Sequence, residues 1–150
     1  VRQHFTLGGI HVLSQQQLRT ELSCLSQMVG GMNRLRFRFE LDSAAVASLS
    51  MDASYNVLQI IREAMSNSLR HSGGTSGLVA LRNDGGTVRV VISDNGVGFD
   101  PKRRANCGLG LQNIATRAAE LGATLDISSH VNGGTVLTIE IPGAHAKSVT

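Results

Sequence analysis

Leu58-Gln-Ile-Ile-Arg-Glu-Ala-Met-Ser-Asn-Ser-Leu-Arg-His-Ser72 carries two helical periodicities at once. Leu58, Ile61, Met65 and Leu69 recur at intervals of three and four and form an apolar stripe. Glu63, Asn67, Arg70 and His71 stand at i, i+4, i+7 and i+8, so they share a second face. That face joins a carboxylate, an amide, a fixed cation and an imidazole, where a merely solvated face more often carries Glu/Lys pairs. Ala64, Ser66 and Ser68 are small and leave the helix backbone open to close approach. Alone, the stretch predicts a half-buried helix with a polar outer face. Its surroundings decide whether that face has a job.

Just ahead of it, Asp52 or Ser54 is the expected N-cap. Further upstream, Arg34 to Leu41 alternates without a fault, with Leu35, Phe37, Phe39 and Leu41 on one side and Arg34, Arg36, Arg38 and Glu40 on the other. This predicts a strand with one face in the core. The arginines are read as a solvated sheet face in preference to a basic binding patch. Leu18, Leu22, Leu25 and Val29 predict an amphipathic helix over 17–29, ended by Gly30-Gly31. Downstream, 72–77 is a loop, and 78–82 with 87–93 form a hairpin across Asn83-Asp84-Gly85-Gly86. Leu111, Ile114, Ala118 and Leu121 lie on one face of a helix that Gly122 stops. A second hairpin, 124–128 with 135–141, turns at Asn132-Gly133-Gly134. Residues 1–16 form a weakly patterned N-terminal segment that could end an upstream helical module, 17–142 one domain and 143–150 a tail. The predicted fold is an α/β (α+β) two-layer sandwich: a mixed sheet with helices packed on one face.

Composition narrows the function classes. The 150 residues are 41% hydrophobic and 17% charged, enough for one compact domain with a proper core. A net charge of +3 and 3% aromatics argue against nucleic-acid binding, which wants a denser basic patch interleaved with rings. No apolar run approaches the about 20 residues of a membrane span, so no membrane contact is expected within this chain. Cys24 and Cys107 sit in no metal-ligand spacing and are read as two thiols of a reducing, cytoplasmic compartment. The start at Val1 is read as the start of a fragment, with an upstream membrane anchor left open.

The 17 glycines cluster. Asp94-Asn-Gly96-Val-Gly98 places a carboxylate at a strand end with two glycines behind it. An acceptor-only carboxylate can take a hydrogen bond from an exocyclic amine such as that of adenine, and the glycines let a flat ring lie against backbone. A plain strand-to-loop turn would show the same residues. Gly108-Leu-Gly-Leu-Gln-Asn113 opens a helix, where successive N–H groups can cradle phosphate oxygens. Gly133-Gly134-Thr135 reads as a hairpin turn. No Gly-Lys-Ser/Thr follows any of these, and no six-residue glycine pattern opens a helix after Asp94, so neither a Walker loop nor a dinucleotide fingerprint is present.

In order, Glu63-x3-Asn67-x2-Arg70-His71, Asp94-x-Gly96-x-Gly98, Gly108-x-Gly110 and Gly133-Gly134-Thr135 resemble the ATP-binding module of two-component sensor histidine kinases, over about residues 50–142. They look like that family's N box and its three glycine boxes. The short basic stretch from Phe99 to Cys107, with Arg70-His71-Ser72 and Gly108-Leu-Gly-Leu-Gln-Asn-Ile114, is similar to the nitrate-sensor type, whose lid is short. The resemblance implies ATP and Mg²⁺ as ligands, with Asn67 holding the metal and Glu63 acting as base or polarising group. It implies Arg70 and His71 at the phosphates, where many relatives have Lys in place of Arg70. Asp94 would accept from adenine, helped by Thr135, with Gly96 and Gly98 admitting the base and Gly108, Leu109, Gly110 and Leu111 holding the phosphates. Arg117 is open between a phosphate contact and a helix salt bridge.

The implied reaction is transfer of the γ-phosphoryl group to a histidine on a separate helical dimerisation module, and from there to a response regulator. His4 and His11 lack the acidic neighbour and helical frame of an acceptor, so the acceptor is expected elsewhere. Two rivals stay open: a serine kinase of the anti-sigma-factor type, and a nucleotide-binding regulatory module without catalysis.

Overall fold

A computed structural model describes residues 20–21, 23–24, 34–71, 73–98 and 109–143. Their elements run β1 (Arg36–Leu41), α1 (Ser43–Ser48), α2 (Met51–His71), β2 (Ser76–Asp84), β3 (Thr87–Asp94), α3 (Leu109–Glu120), β4 (Thr124–Ser129) and β5 (Thr135–Ile141). The strands form a five-stranded sheet in the order β1-β2-β3-β5-β4. β1 runs parallel to β2, and every other neighbouring pair is antiparallel. A parallel pair needs a crossover, and α1 with α2 supplies it. The antiparallel pairs are hairpins joined by glycine turns, apart from β3–β5, which α3 and β4 separate in sequence. The sheet is therefore mixed, as the sequence predicts.

Strand alternation sets the two faces. Val79 and Leu81 on β2, Val88, Val90 and Ile92 on β3, and Leu137, Ile139 and Ile141 on β5 are all buried on the helix side. Leu58, Ile61, Met65 and Leu69, the predicted stripe of α2, are each at most 3% exposed. A second stripe, Val57, Ile60 and Ala64, is buried as well, so α2 is the central element of the helical layer. Ile114 of α3 and Leu121, just past its end, complete the cluster. Each such side chain contributes about 1.5–3 kcal/mol relative to an exposed one. The outer sheet face carries ion pairs: Glu40 accepts from Arg38 and, at 2.6 Å, from Arg82, while Arg89 pairs with Glu140 at 2.8 Å. The arginine row of β1 is thus part of a solvated face.

Several expectations shift. α1 was not foreseen; Asp42 caps it by accepting from the Ala44 N–H at 2.9 Å. The cap of α2 is Ser50, whose Oγ accepts from the Ala53 N–H at 3.1 Å, and not Asp52 or Ser54. Both lie inside the helix, and Ser54 is only 5% exposed. Asn83 and Asp84 belong to β2, leaving Gly85-Gly86 as the two-residue turn. The predicted helix over 17–29 falls largely outside the described residues, as do His4, His11, Gly108 and the stretch from Phe99 to Cys107. Among the described residues no helix is long and apolar enough to cross a membrane, and Cys24 is an exposed free thiol.

Candidate functional site

The C-terminal half of α2 connects two clusters of predicted site residues. At one cluster, α3 begins against Glu63 and Asn67. A Cβ added to Gly110 would come within 2.8 Å of Glu63 Oε2 and 2.9 Å of Asn67 Nδ2. Glycine lets the first turn of α3 lie against the polar face of α2 without moving the ends of these side chains. Farther along, Arg117 Nη1 donates to Asn56 Oδ1 at 3.0 Å, and its guanidinium lies over the Tyr55 ring. The two helices are therefore antiparallel, and Arg117 packs them together at the end remote from Asn67. Both of these contacts lie away from the end where Gly110 meets Asn67. Arg70 Nη2 donates to Asn67 Oδ1 at 3.2 Å. His71 is the exposed last residue of α2. Leu111 packs on the core, so any part it takes in holding a ligand falls to its backbone.

At the other cluster, β3 ends in Asp94 directly opposite Thr135, where β5 begins. Asp94 is held from two sides. Its Oδ1 accepts from the Gly96 N–H at 2.9 Å and its Oδ2 from the Ser68 hydroxyl at 2.8 Å. Ser68 follows Asn67 directly in sequence, so adjacent residues of α2 serve the two clusters. Ser129 Oγ donates to the Gly134 carbonyl at 3.1 Å and lies 2.8 Å from Thr135 Oγ1. A hydroxyl has one proton, so with that of Ser129 given to the carbonyl, Thr135 is the donor in the second bond. Its oxygen is left with acceptor capacity only.

The loop behind Asp94 is fixed by backbone contacts. Asn95 Oδ1 accepts from the Thr75 and Ser76 N–H groups at 2.8 and 2.9 Å. The Val97 carbonyl accepts from the Asn132 N–H. Gly98 (φ 64°) and Gly134 (φ 77°) adopt the left-handed conformation; a Cβ on either would collide with the carbonyl of His130 or of Asp94 respectively. The glycines after Asp94 and in the β4–β5 turn thus bring two backbones into contact beside the carboxylate.

Glu63, Asn67, Arg70, Asp94, Gly96, Gly98, Gly110 and Thr135 are all brought to these two clusters, although they come from four elements. Sequence reading missed Ser68, Asn95 and Ser129. The one available sign for Ser68 was a hydroxyl set between Met65 and Leu69 of the apolar stripe, where a buried polar group needs a partner. The donors at the Asn67 end are oxygens of one carboxylate and one amide. Such a set suits Mg²⁺, which binds few protein groups and keeps other ligands. Among the described residues no cluster of three or more His, Cys, Asp or Glu offers an all-protein metal cage.

Residues 53–145 match the model of the family described as histidine kinase-, DNA gyrase B-, and HSP90-like ATPase. The sensor protein VraS of Staphylococcus aureus is 39% identical over 87 residues, covering 58% of this chain and 25% of VraS. VraS of Staphylococcus haemolyticus matches to the same extent. The chain thus spans about a quarter of the length of these curated relatives. The histidine kinase domain of a blue-light-activated histidine kinase from Erythrobacter litoralis superposes with a TM-score of 0.74 at 20% identity, over 95% of this chain and 69% of that one. The Acinetobacter baumannii histidine kinase AdeS gives 0.71 at 15% identity, over 88% and 66%. The fold is therefore the one these kinase domains share.

Proposed function

The chain belongs to the histidine kinase-, DNA gyrase B-, and HSP90-like ATPase family, and from that membership we propose that it is the ATP-binding catalytic domain of a two-component sensor histidine kinase. It transfers the γ-phosphoryl group of ATP to a histidine on a separate helical dimerisation module, and a response regulator receives it next. The domain works on the cytoplasmic side. The observation that carries this reading is the pairing of two unlike clusters along one half of α2. One, at Asp94 and Thr135, offers hydrogen-bond acceptors; the other, at Glu63, Asn67 and Gly110, offers hard oxygen donors beside a helix N-terminus.

Asp94 and Thr135 take the adenine amine, and Gly96 and Gly98 let the base lie on backbone. Asn67 would hold Mg²⁺, which would supply neutralisation of phosphate charge. Glu63 polarises the reacting group. The Arg70 guanidinium, now on Asn67 Oδ1, pairs with phosphate oxygens. His71 stands with it at the phosphates. The start of α3, from Gly108 through Leu109 and Gly110 to Leu111, turns backbone N–H groups to the phosphates. Positioning and charge neutralisation account for most of such catalysis.

Calorimetry with ATP and GTP in Mg²⁺ tests the site, and ATP is expected to bind at least about tenfold tighter. Equal affinities would overturn the placement of adenine at Asp94. Labelled ATP with the chain and a histidine-bearing dimerisation domain tests the reaction. The expected product is acid-labile and base-stable; an acid-stable product would point to serine instead.

A further inference from the structure

We propose that Ser68 is a positioning residue that sets base selectivity by fixing the carboxylate of Asp94. The proposal rests on the reading of Asp94 as the partner of the adenine amine. Ser68 is 9% exposed, one of three buried polar residues among those described. A hydroxyl buried in an apolar stripe costs stability unless it is bonded. Its bond runs to a residue 26 positions away, from the middle helix to the end of the central strand. It therefore ties α2 to β3 at the base-binding end.

The carboxylate torsion of Asp is soft, so one hydrogen bond leaves it free to swing. Gly96 and Ser68 hold opposite oxygens from different elements, which removes that freedom. An ionised carboxylate only accepts, so the Ser68 proton is committed to Asp94 and is not offered to a ligand. The Thr135 proton is likewise committed, to Ser129. This end of the pocket consequently presents acceptors. A purine with an amine at its 6 position matches them; one with an oxygen there sets lone pair against lone pair. Asn95 does not share this role, because its side chain is spent on Thr75 and Ser76.

The test compares ATP with purine riboside triphosphate, which has hydrogen in place of the amine, by calorimetry in Mg²⁺. Ser68→Ala should weaken ATP about fivefold to tenfold and leave the amine-free analogue within about twofold. An equal loss for both nucleotides would reduce Ser68 to a packing role, and no loss for either would mean its hydrogen bond is idle. Asp94→Asn separates this proposal from the reading beneath it. If that variant leaves the ratio of ATP to analogue unchanged, Asp94 does not meet the amine and the reading itself fails. If it collapses the ratio while Ser68→Ala does not, only the role of Ser68 fails. Thermal melting shows whether Ser68→Ala folds. Should it not, Ser68→Cys keeps the volume with a far weaker donor and must show the same amine-dependent loss, or the proposal is wrong.

Discussion

Asn67 and Ser68 are neighbours in the chain, yet one lies against Glu63 and Gly110 and the other bonds Asp94. Successive residues on a helix are about 100° apart, and that angle divides the site into the end proposed for metal and phosphate and the end proposed for the base. Asn67→Ala should weaken ATP chiefly when Mg²⁺ is present, and little in excess chelator. Titrations that lose the same amount in both conditions would make Asn67 a structural residue. Gly110→Ala probes the same end by volume. Its Cβ would press on Glu63 Oε2 and the Asn67 amide, both side-chain ends that can give way. The protein should therefore melt near the parental temperature while its affinity for Mg-ATP falls about fivefold, or about 1 kcal/mol. A large drop in melting temperature would instead mark the helix contact as rigid. Glu63 and Asn67 were legible in the sequence because they stand one helical turn apart, and Asp94 because two glycines follow it. Ser68, Asn95 and Ser129 were not, because their partners are fixed by tertiary packing. Asn95, for instance, meets Thr75 and Ser76 about 20 positions upstream.

At the scale of elements, long regular patterns were readable and short ones were not. The alternating strand β1, the apolar stripe of α2 and the two glycine-turned hairpins all appear, the first hairpin with a longer β2 and a shorter turn than the sequence suggests. α1 spans six residues, too few for a helical period to declare itself, and its one sign was Asp42 ahead of an alanine-rich run. The start of α2 was misplaced by two to four residues because Ser50, Asp52 and Ser54 all make good caps. Burial of Ala53 and Ser54 decides among them. Asp42 also joins elements, since its Oδ2 accepts from the Asn83 N–H of β2 at 3.1 Å. Hydrogen bonds from the Asn83 and then the Ala44 backbone favour its ionised form and lower its pKa. A carboxyl whose pKa is lower folded than unfolded contributes stability that is present above the unfolded value. It is lost as pH falls through the folded one. Urea midpoints at neutral and at acid pH should therefore differ less in Asp42→Ala than in the parent. An unchanged difference would show that the Asp42 bonds do not survive in solution.

The proposed binding site is assembled from one helix, two strand ends and the start of a second helix, and among the described residues neither His71 nor His130 is placed to receive the phosphoryl group. Transfer needs the acceptor nitrogen in line with the γ-phosphate, about 3–3.5 Å from the atom attacked. His71 rides on the same helix as Asn67, four residues on, which under the proposed placement of ATP would set it beside the phosphates and not behind the terminal one. His130 lies at the base end, its carbonyl against Gly98. His4, His11 and His145 lie outside the described residues, the first two in a segment whose sequence offers no helical frame and the third in the C-terminal tail. The domain alone should consequently bind ATP and stay unlabelled. A helical module carrying the acceptor, added in trans, should restore transfer as an acid-labile phosphohistidine. Incubation of the domain with γ-labelled ATP, with Asn67→Ala as the blank, checks this directly. Near-stoichiometric, acid-labile labelling of the domain by itself would place the acceptor within these 150 residues. Single His→Ala changes at His4, His11, His71, His130 and His145 would then locate it.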